Sequence, residues 1–186
     1  QALEPRDALK REMVRVLARN CVRMFATNPD LLVALPLGST FLPYAHVDPY
    51  RHDVVLPAAE GKLRLLHLPT HRDIKGTSLF VNAVEKLRAE GLQLDLALVE
   101  GAPNDEALRT IAQHDVVLDQ LRVGWYGGVA VEAMAMGKPV VAYLNAADLA
   151  LVSSDLRESL PIVRADPSNI EQCLRTLATG MRSQLR

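Results

Sequence analysis

The sequence has few cysteines and few aromatic residues. Only two of its 186 residues are cysteine, and aromatic side chains make up 4%. Cys21 and Cys173 lie far apart, with no Cys-x-x-Cys, Cys-x-x-His or His-x3-His spacing around them, so neither a disulfide framework nor a zinc site is indicated. The five histidines are scattered as well. We therefore expect reduced thiols, as in the cytoplasm, and no bound metal.

An excess of charge of one sign and a long apolar run are also missing. The chain has 21 Lys and Arg against 22 Asp and Glu, a formal net charge of −1, so its composition does not indicate a nucleic-acid partner. The longest charge-free stretch, residues 31–47, is interrupted by Pro36, Gly38 and Pro43 and cannot form a membrane-spanning helix. No secretory signal is visible. The 49% hydrophobic fraction excludes a disordered chain.

From about residue 61, short apolar runs alternate with helical patterns. Strands are predicted over residues 63–68, 92–98, 116–118, 140–144 and 162–164. Helices are predicted over residues 77–90 and 129–136, after a cap at Asn104, and after a capping box of Ser168 and Glu171. This alternation is typical of βαβ units with right-handed crossovers. It predicts an α/β fold, a Rossmann-like open parallel sheet flanked by helices.

Residues 1–60 do not follow this alternation. One helix is predicted over residues 6–25, followed by a proline-rich, irregular stretch that resembles a linker more than a second core. We therefore divide the chain into residues 1–60 and 61–186. Because the chain opens with Gln1 and a helical pattern begins almost at once, we expect it to be a fragment of a longer protein.

Four arginines recur every fourth residue near the amino terminus, at Arg11, Arg15, Arg19 and Arg23. A row of like charges on a helix is usually a solvated face. Peripheral contact with an anionic membrane, or with a partner, remains the alternative.

Ligands of open parallel sheets bind beyond the carboxyl ends of the strands, so the loops that follow strands deserve inspection. Residues 70–77 place His71, Arg72, Lys75 and Gly76 where a helix begins. Helix amino termini bind phosphate through free N–H groups, and a Lys or Arg adds charge. The alternative interpretation is an ordinary solvated loop.

A second loop, residues 121–128, ends in Gly127 and Gly128 at the start of a small, apolar helix. Two glycines leave the backbone open to a diphosphate. Glu132 lies in this helix, and its two carboxylate oxygens suit the adjacent hydroxyls of a ribose. The alternative is a structural carboxylate bound by backbone N–H groups. A third loop, residues 100–103, contains Glu100 and Gly101 and is either part of a base pocket or an ordinary turn.

Several of these segments together resemble a known family. Residues 99–101, 115–120, 124–127 and 132–141 resemble the C-terminal, donor-binding half of GT-B glycosyltransferases of the group 1, glycogen-synthase-like family. The upstream run His67-Leu-Pro-Thr-His-Arg-Asp-Ile-Lys75-Gly76-Thr77 is similar to the diphosphate-binding loop of that family. The resemblance covers roughly residues 60–145, in the same order and with the same spacing.

In such enzymes a nucleotide sugar lies between two Rossmann-like domains. The resemblance therefore implies a hexosyltransferase-type glycosyltransferase whose substrate is a nucleotide diphosphate sugar, with no cofactor and an unknown acceptor. It also implies that residues 6–36 are the last helix and strand of an acceptor domain. The rest of that N-terminal domain would be a partner from the same protein, and this chain alone would transfer nothing.

The resemblance assigns roles residue by residue. Glu132 matches the second Glu of the Glu-x7-Glu motif of the family, which holds the donor ribose, and Lys75 matches the diphosphate lysine. The first Glu of the motif falls at Gly124, so no catalytic residue is assigned. Arg72 precedes Lys75 by fewer residues than the arginine of the family does. The predicted donor-binding residues are Glu132, Lys75, Arg72, Gly127, Gly128, Val129, Glu100 and Gly101.

Two alternative functions stay open. One is a sugar-nucleotide epimerase of the same two-domain architecture. The other is a non-catalytic interaction module that kept the fold and lost the chemistry, which Gly124 would explain.

Overall fold

The computed structural model describes residues 5–55 and 61–184, with side chains described over residues 7–55 and 61–180. The chain divides into two compact units. One contains residues up to 44 together with 146–158, and the other contains residues 45–145 together with those from 159 onward. The second unit thus begins at Ala45, and the chain returns to the first unit after Asn145. The predicted domain boundary at residue 60 stays a prediction.

The first unit contains a long helix and a two-stranded parallel sheet. Its elements are α1 (Pro5–Asn20), β1 (Phe25–Ala26), a 3-10 helix (Pro29–Ala34) and β2 (Thr40–Phe41). The predicted helix over residues 6–25 is therefore wrong at its end. Asn20 Nδ2 donates to the Val16 carbonyl at 2.7 Å and satisfies a carbonyl at the helix end. Phe25 pairs with Thr40 in the sheet.

The second unit is built on five parallel strands. They are β3 (Leu63–His67), β4 (Leu94–Leu98), β5 (Val116–Gln120), β6 (Val140–Ala142) and β7 (Ile162–Arg164). The spatial order is β4-β3-β5-β6-β7, and every neighbouring pair is parallel. Leu65 lies opposite Leu96 on one side and Val116 on the other. The predicted open parallel sheet is confirmed, with strand bounds within two residues of those predicted.

Helices follow the strands of this sheet. They are α2 (Arg72–Lys75), α3 (Thr77–Ala89), α4 (Asn104–Gln113), α5 (Gly128–Ala135) and α8 (Ile170–Gln184). The short helices α6 (Ala146–Leu149) and α7 (Ser154–Ser159) follow β6 in the chain, but α6 and all of α7 except Ser159 belong to the first unit. The core includes Phe80, Leu87 and Leu174, all 0% exposed, on α3 and α8. These side chains follow the apolar helical spacing of the sequence, so burial of apolar surface fixes both helices against the sheet.

The start of α8 differs from the predicted capping box of Ser168 and Glu171. Asp166 Oδ1 accepts hydrogen bonds from the amides of Ser168 and Asn169 at 2.7 and 3.2 Å, and Asn169 Oδ1 accepts from the Asp166 amide at 2.8 Å. The hydrogen bonds from the Ser168 hydroxyl, the Ser168 amide and the Asn169 amide hold the pKa of the Asp166 carboxyl below its usual value. The cap thus begins two residues earlier than predicted, because a carboxylate is a stronger acceptor than a hydroxyl.

Charged side chains also occupy the amino-terminal edge of the sheet. The Arg64 guanidinium donates to Asp115 at 2.6 and 3.1 Å, and the Arg64 amide donates to the same carboxylate at 2.8 Å. The hydrogen bond to Asp115 raises the pKa of Arg64. These contacts join the beginnings of β3 and β5 and are structural. Over the described ranges, no helix is both long and apolar enough to cross a membrane.

Gly76 provides a test of the turn that joins α2 to α3. Its φ is +74°, and a Cβ there would lie 3.3 Å from Leu79 Cδ1. We expect Gly76→Ala to lower the free energy of unfolding by about 1–2 kcal/mol, because an L side chain strains the left-handed conformation. Urea denaturation followed by circular dichroism measures this.

The matched control is Gly180→Ala in α8, where a Cβ meets nothing within 4 Å and φ is not positive. This substitution should stabilise the chain by up to about 1 kcal/mol, because alanine favours helix. Equal effects at the two positions would contradict the assignment of strain to Gly76.

Candidate functional site

The strand order places the candidate site between the carboxyl ends of β3 and β5. The chain proceeds from β3 to β4 on one side of β3 and then returns to β5 on the other side. Such a reversal opens a crevice at the carboxyl edge of a parallel sheet. The loop that contains α2 leaves β3 here, and the glycine-rich loop before α5 leaves β5. The two loops predicted to bind phosphate are therefore neighbours in space.

A cleft of about 430 Å³ opens at this edge of the sheet. Its lining comes from the ends of β3 and β4, from α4 and from α5. The lining residues are Leu68, Pro69, Thr70, Val99, Glu100, Gly101, Ala102, Asn104, Ala107, Val129 and Glu132. The structure thus brings four of the predicted donor-binding residues to one cavity: Glu100, Gly101, Val129 and Glu132.

Glu132 lies in the second turn of α5, with its side chain 14% exposed. Its Oε1 accepts a hydrogen bond from Asn104 Nδ2 at 2.8 Å, and His46 Nε2 lies 3.8 Å from the same oxygen. Within the described part of the chain, no backbone N–H donates to this carboxylate. The side chain therefore lies at the cleft wall rather than being held by backbone groups.

Asn104 has a different role from the predicted one. Sequence spacing predicts it as the cap of α4, but Pro103 occupies the cap position and Asn104 is the first helical residue. Its side-chain amide donates to Glu132 instead. A capping Asn accepts from backbone N–H groups with its side-chain oxygen, whereas here the Asn104 N–H group donates to a charged acceptor, which is a stronger hydrogen bond than one between neutral groups.

Arg72 pairs with Glu100, which lines the cleft. Arg72 Nε lies 3.0 Å from both carboxylate oxygens, and a second guanidinium nitrogen lies 2.5 Å from Oε2. The hydrogen bond from Arg72 lowers the pKa of Glu100, and Glu100 raises that of Arg72. The side chains are 60% and 41% exposed, so water weakens the pair. Two predicted donor-binding residues thus contact each other, and a ligand can separate them at low cost.

Lys75 forms a second, more buried cluster with Asp119 and Gly127. Lys75 Nζ lies 2.6 Å from Asp119 Oδ1, and the Gly127 amide donates to Asp119 Oδ2 at 2.6 Å. The Lys75 side chain is 11% exposed and that of Asp119 is 0% exposed. Water screens such a pair weakly, so the ammonium is firmly positioned at the amino terminus of α5.

Gly127 precedes α5 and Gly128 is its first residue, and a side chain at each position would meet a different neighbour. A Cβ on Gly127 would lie 2.8 Å from Lys75 Nζ, and one on Gly128 would lie 3.4 Å from the His46 ring. The Gly127 amide is bound to Asp119, whereas the amides of Gly128 and Val129 have no acceptor among the described residues. These two free N–H groups lie at the positive end of the α5 dipole.

His67 joins the elements on which the site is built. Its Nδ1 lies 2.6 Å from the Leu118 carbonyl, and its Nε2 lies 2.9 Å from the Thr77 hydroxyl. A carbonyl only accepts, so Nδ1 carries the proton and Nε2 accepts from Thr77. Burial lowers the pKa of this histidine. A neutral ring thereby links the carboxyl ends of β3 and β5 to the start of α3.

Gly124, at the position of the missing motif carboxylate, is held by its backbone. Its carbonyl accepts from the Asn145 amide at 2.9 Å, and the buried Gln120 side chain donates to the neighbouring Trp125 carbonyl. The loop is thus anchored to the ends of β5 and β6 without any carboxylate at this position.

Asp119, Asn104 and His46 are site residues that sequence reasoning missed. A signal existed for Asp119, because it is a carboxylate at the end of an otherwise apolar strand. Nothing in the spacing indicated Asn104 or His46, since both come from segments distant in sequence from Glu132. Among the described residues, no group of three or more His, Cys, Asp or Glu is arranged to hold a metal ion.

Comparison with known proteins identifies the fold of the chain. No protein-family model matches the sequence, and no curated protein matches it. The pneumococcal O-GlcNAc transferase GtfA, in complex with UDP and GlcNAc, has a TM-score of 0.52 and 11% identity, with 89% of this chain and 38% of GtfA covered. A mutant of S. aureus TarM, in complex with Fondaparinux, alpha-GlcNAc-glycerol and UDP, has a TM-score of 0.50 and 13% identity, with 89% and 39% covered.

These similarities show the fold alone. The chain has the α/β architecture of one half of a GT-B glycosyltransferase, as the resemblance implied. It spans about two fifths of the length of each of these two proteins.

The buried His67 ring predicts a pH dependence of stability. Its folded-state pKa lies below its unfolded value, which is about 6.5. The folded chain therefore binds fewer protons, and the free energy of unfolding should decrease as the pH is lowered through about 6.5. In the His67→Asn variant, the side-chain amide can still donate to the Leu118 carbonyl but does not titrate. The free energy of unfolding of this variant should therefore depend less on pH. Urea unfolding of both chains at pH 5, 6 and 7 measures the slopes, and identical slopes would contradict the assignment.

Proposed function

We propose that this chain is the donor-binding half of a glycosyltransferase that transfers a sugar from a nucleotide diphosphate sugar. The observation that carries the proposal is the arrangement at the carboxyl ends of β3 and β5. There Glu132 and Val129 line the cleft, and Lys75 lies beside Gly127 at the amino terminus of α5, where the amides of Gly128 and Val129 have no acceptor among the described residues. The carboxylate suits the ribose of a nucleotide sugar, and the lysine and the two amides suit its diphosphate.

The carboxylate of Glu132 is the group that suits the ribose. Its Oε2 accepts no hydrogen bond within the described chain, while Oε1 accepts one from Asn104. Two adjacent hydroxyls can bind the two oxygens, with the Asn104 amide fixing the carboxylate. Glu100 and Gly101 line the same cleft and lie where a base would fit beyond the ribose.

Lys75 and the amino terminus of α5 suit the diphosphate. The amides of Gly128 and Val129 offer two donors, and Lys75 Nζ lies beside Gly127. As the bond from the sugar to the diphosphate breaks, negative charge grows on the leaving group. Fixed donors and a helix dipole stabilise that charge without a metal ion. Arg72 can turn from Glu100 to the diphosphate, because both side chains are largely exposed.

The two structures of similar fold support this proposal, since each holds UDP in its complex. A transferase also needs an acceptor site, which we assign to a further domain of the same protein. The short parallel pair β1 and β2, with α1, would then be the edge of that domain. The isolated chain should bind nucleotide weakly and transfer nothing.

A non-catalytic module is the second candidate function. Gly124 favours it, because the carboxylate expected to contact the donor sugar is absent and the backbone there is already held by Asn145. A module of this kind would keep the fold and lose sugar transfer.

Nucleotide binding tests the first proposal. Calorimetric titration of the chain with UDP, GDP and ADP should show binding of one of them. Glu132→Gln should weaken that binding at least tenfold, because a hydrogen bond to a charged acceptor contributes about 1.5–3 kcal/mol. Glu85→Gln makes the same change of charge on the exposed surface of α3 and should leave the affinity within twofold.

Failure of all three nucleotides to bind the folded chain would contradict a preformed donor site. Equal weakening by the two glutamine variants would show that Glu132 acts only through overall charge. Circular dichroism of each variant confirms folding before titration.

Substitution at Gly124 separates a weakened enzyme from a module. For the nucleoside diphosphate that binds, Gly124→Glu should raise the affinity for its glucose ester relative to the free diphosphate at least threefold, because the new carboxylate can accept from sugar hydroxyls. Gly124→Gln controls for side-chain size. An unchanged ratio in both variants would favour the module.

A further inference from the structure

Asp119 is a buried carboxylate inside the proposed diphosphate site. Both of its oxygens are occupied, Oδ1 by Lys75 Nζ and Oδ2 by the Gly127 amide, each at 2.6 Å. Its side chain is fully buried at the end of β5. Lys75 therefore reaches the amino terminus of α5 with its charge already balanced by a neighbour.

This pairing changes the electrostatics that a phosphate group would meet. A phosphate oxygen on Lys75 Nζ would be attracted by the ammonium and, one contact further away, repelled by the Asp119 carboxylate. The formal charges of the two side chains sum to zero, and burial leaves their opposing effects poorly screened. Attraction then comes mainly from directed hydrogen bonds and the α5 dipole, which depend less on the total charge of the ligand.

The two diphosphates that such a site meets differ in charge. In a nucleotide sugar both ends of the diphosphate are esterified, one to the nucleoside and one to the sugar, so the diphosphate carries two negative charges. A free nucleoside diphosphate has a terminal phosphate with a second pKa of about 6, and therefore carries close to one further negative charge at pH 7. A lone lysine would hold the free diphosphate more tightly than the sugar ester.

We infer that Asp119 is a specificity-determining residue that cancels the charge of Lys75 in the diphosphate site and so removes the advantage that a lone lysine would give the free diphosphate over the sugar-bound one. The inference rests on the proposed function. Asp119 touches no ligand atom in this scheme and acts through Lys75. Its effect is to weaken retention of the nucleoside diphosphate that remains after the sugar has left.

A purely structural Asp119 would hold the Gly127 loop and nothing more. Its removal would then weaken both ligands by the same factor. A change in the ratio of the two affinities is therefore the readout that separates the two roles.

The experiment compares the chain with its Asp119→Asn variant by calorimetry at pH 7.5. The probes are UDP, GDP and ADP, each with its glucose ester. For the base that binds, Asp119→Asn should tighten the free diphosphate at least fivefold more than the glucose ester. The affinity of the free diphosphate should also fall more steeply with added salt, because the site has gained one positive charge.

Two Lys75 variants complete the charge series. Lys75→Met leaves Asp119 without its cation and should shift the ratio in the opposite direction, toward the glucose ester. The double variant Lys75→Met, Asp119→Asn is again neutral, and its ratio should return to within twofold of the original even though both affinities are lower. Should Asp119→Asn not fold, the opposite shift in Lys75→Met is the test.

The outcomes are distinguishable. If the chain binds a nucleotide and its ratio stays unchanged in Asp119→Asn and Lys75→Met, the inference about Asp119 is wrong while the donor site stands. If none of the six probes binds the folded chain, the proposed function fails, and the inference fails with it.

Discussion

Burial of the Asp119 carboxylate is the constraint on which the site depends. A fully buried carboxylate is costly unless strong donors surround it, and the end of β5 offers none of its own. Lys75 and the Gly127 amide supply them. Each donor comes from a different loop, so satisfying one charge fixes α2 and the start of α5 against the same strand. The Leu121 amide, which donates to the Lys75 carbonyl at 3.1 Å, strengthens this junction.

Strand order explains why charges at the two edges of the sheet have different uses. At the amino-terminal edge, Asp115 is bound by Arg64 of the adjacent strand, so the two charges neutralise each other. At the carboxyl-terminal edge, the reversal of strand order separates the loops after β3 and β5 and opens a cleft. The Glu132 carboxylate borders that cleft, and Lys75 lies beside Gly127 at the start of the same helix. The same residue types are therefore structural at one edge and available to a ligand at the other.

The fold and the site support different parts of the functional conclusion. Similarity to halves of two larger structures shows an architecture that can serve many activities. The donor-binding proposal comes from particular side chains: a lysine whose position is imposed by a buried partner, and a glutamate whose second oxygen is open. Gly124 has the opposite implication, because its backbone is anchored without the carboxylate that sugar contact would use. The contacts of these three residues thus support the proposal of nucleotide binding more strongly than the proposal of sugar transfer.

Local sequence patterns suffice to predict the α/β class, the parallel sheet and most element bounds from residue 63 onward, because apolar periodicity and glycine positions are local signals of burial and turns. They also predict two phosphate-binding loops and a ribose-binding role for Glu132. Only in the folded chain is Lys75 paired with Asp119 and Arg72 with Glu100, and only there does the Asn104 side chain contact Glu132 instead of capping α4. The end of α1 and the Asp166 cap likewise differed from expectation. The three side-chain contacts of Lys75, Arg72 and Asn104 join residues 28 to 44 positions apart. No local pattern encodes which distant partner neutralises a charge.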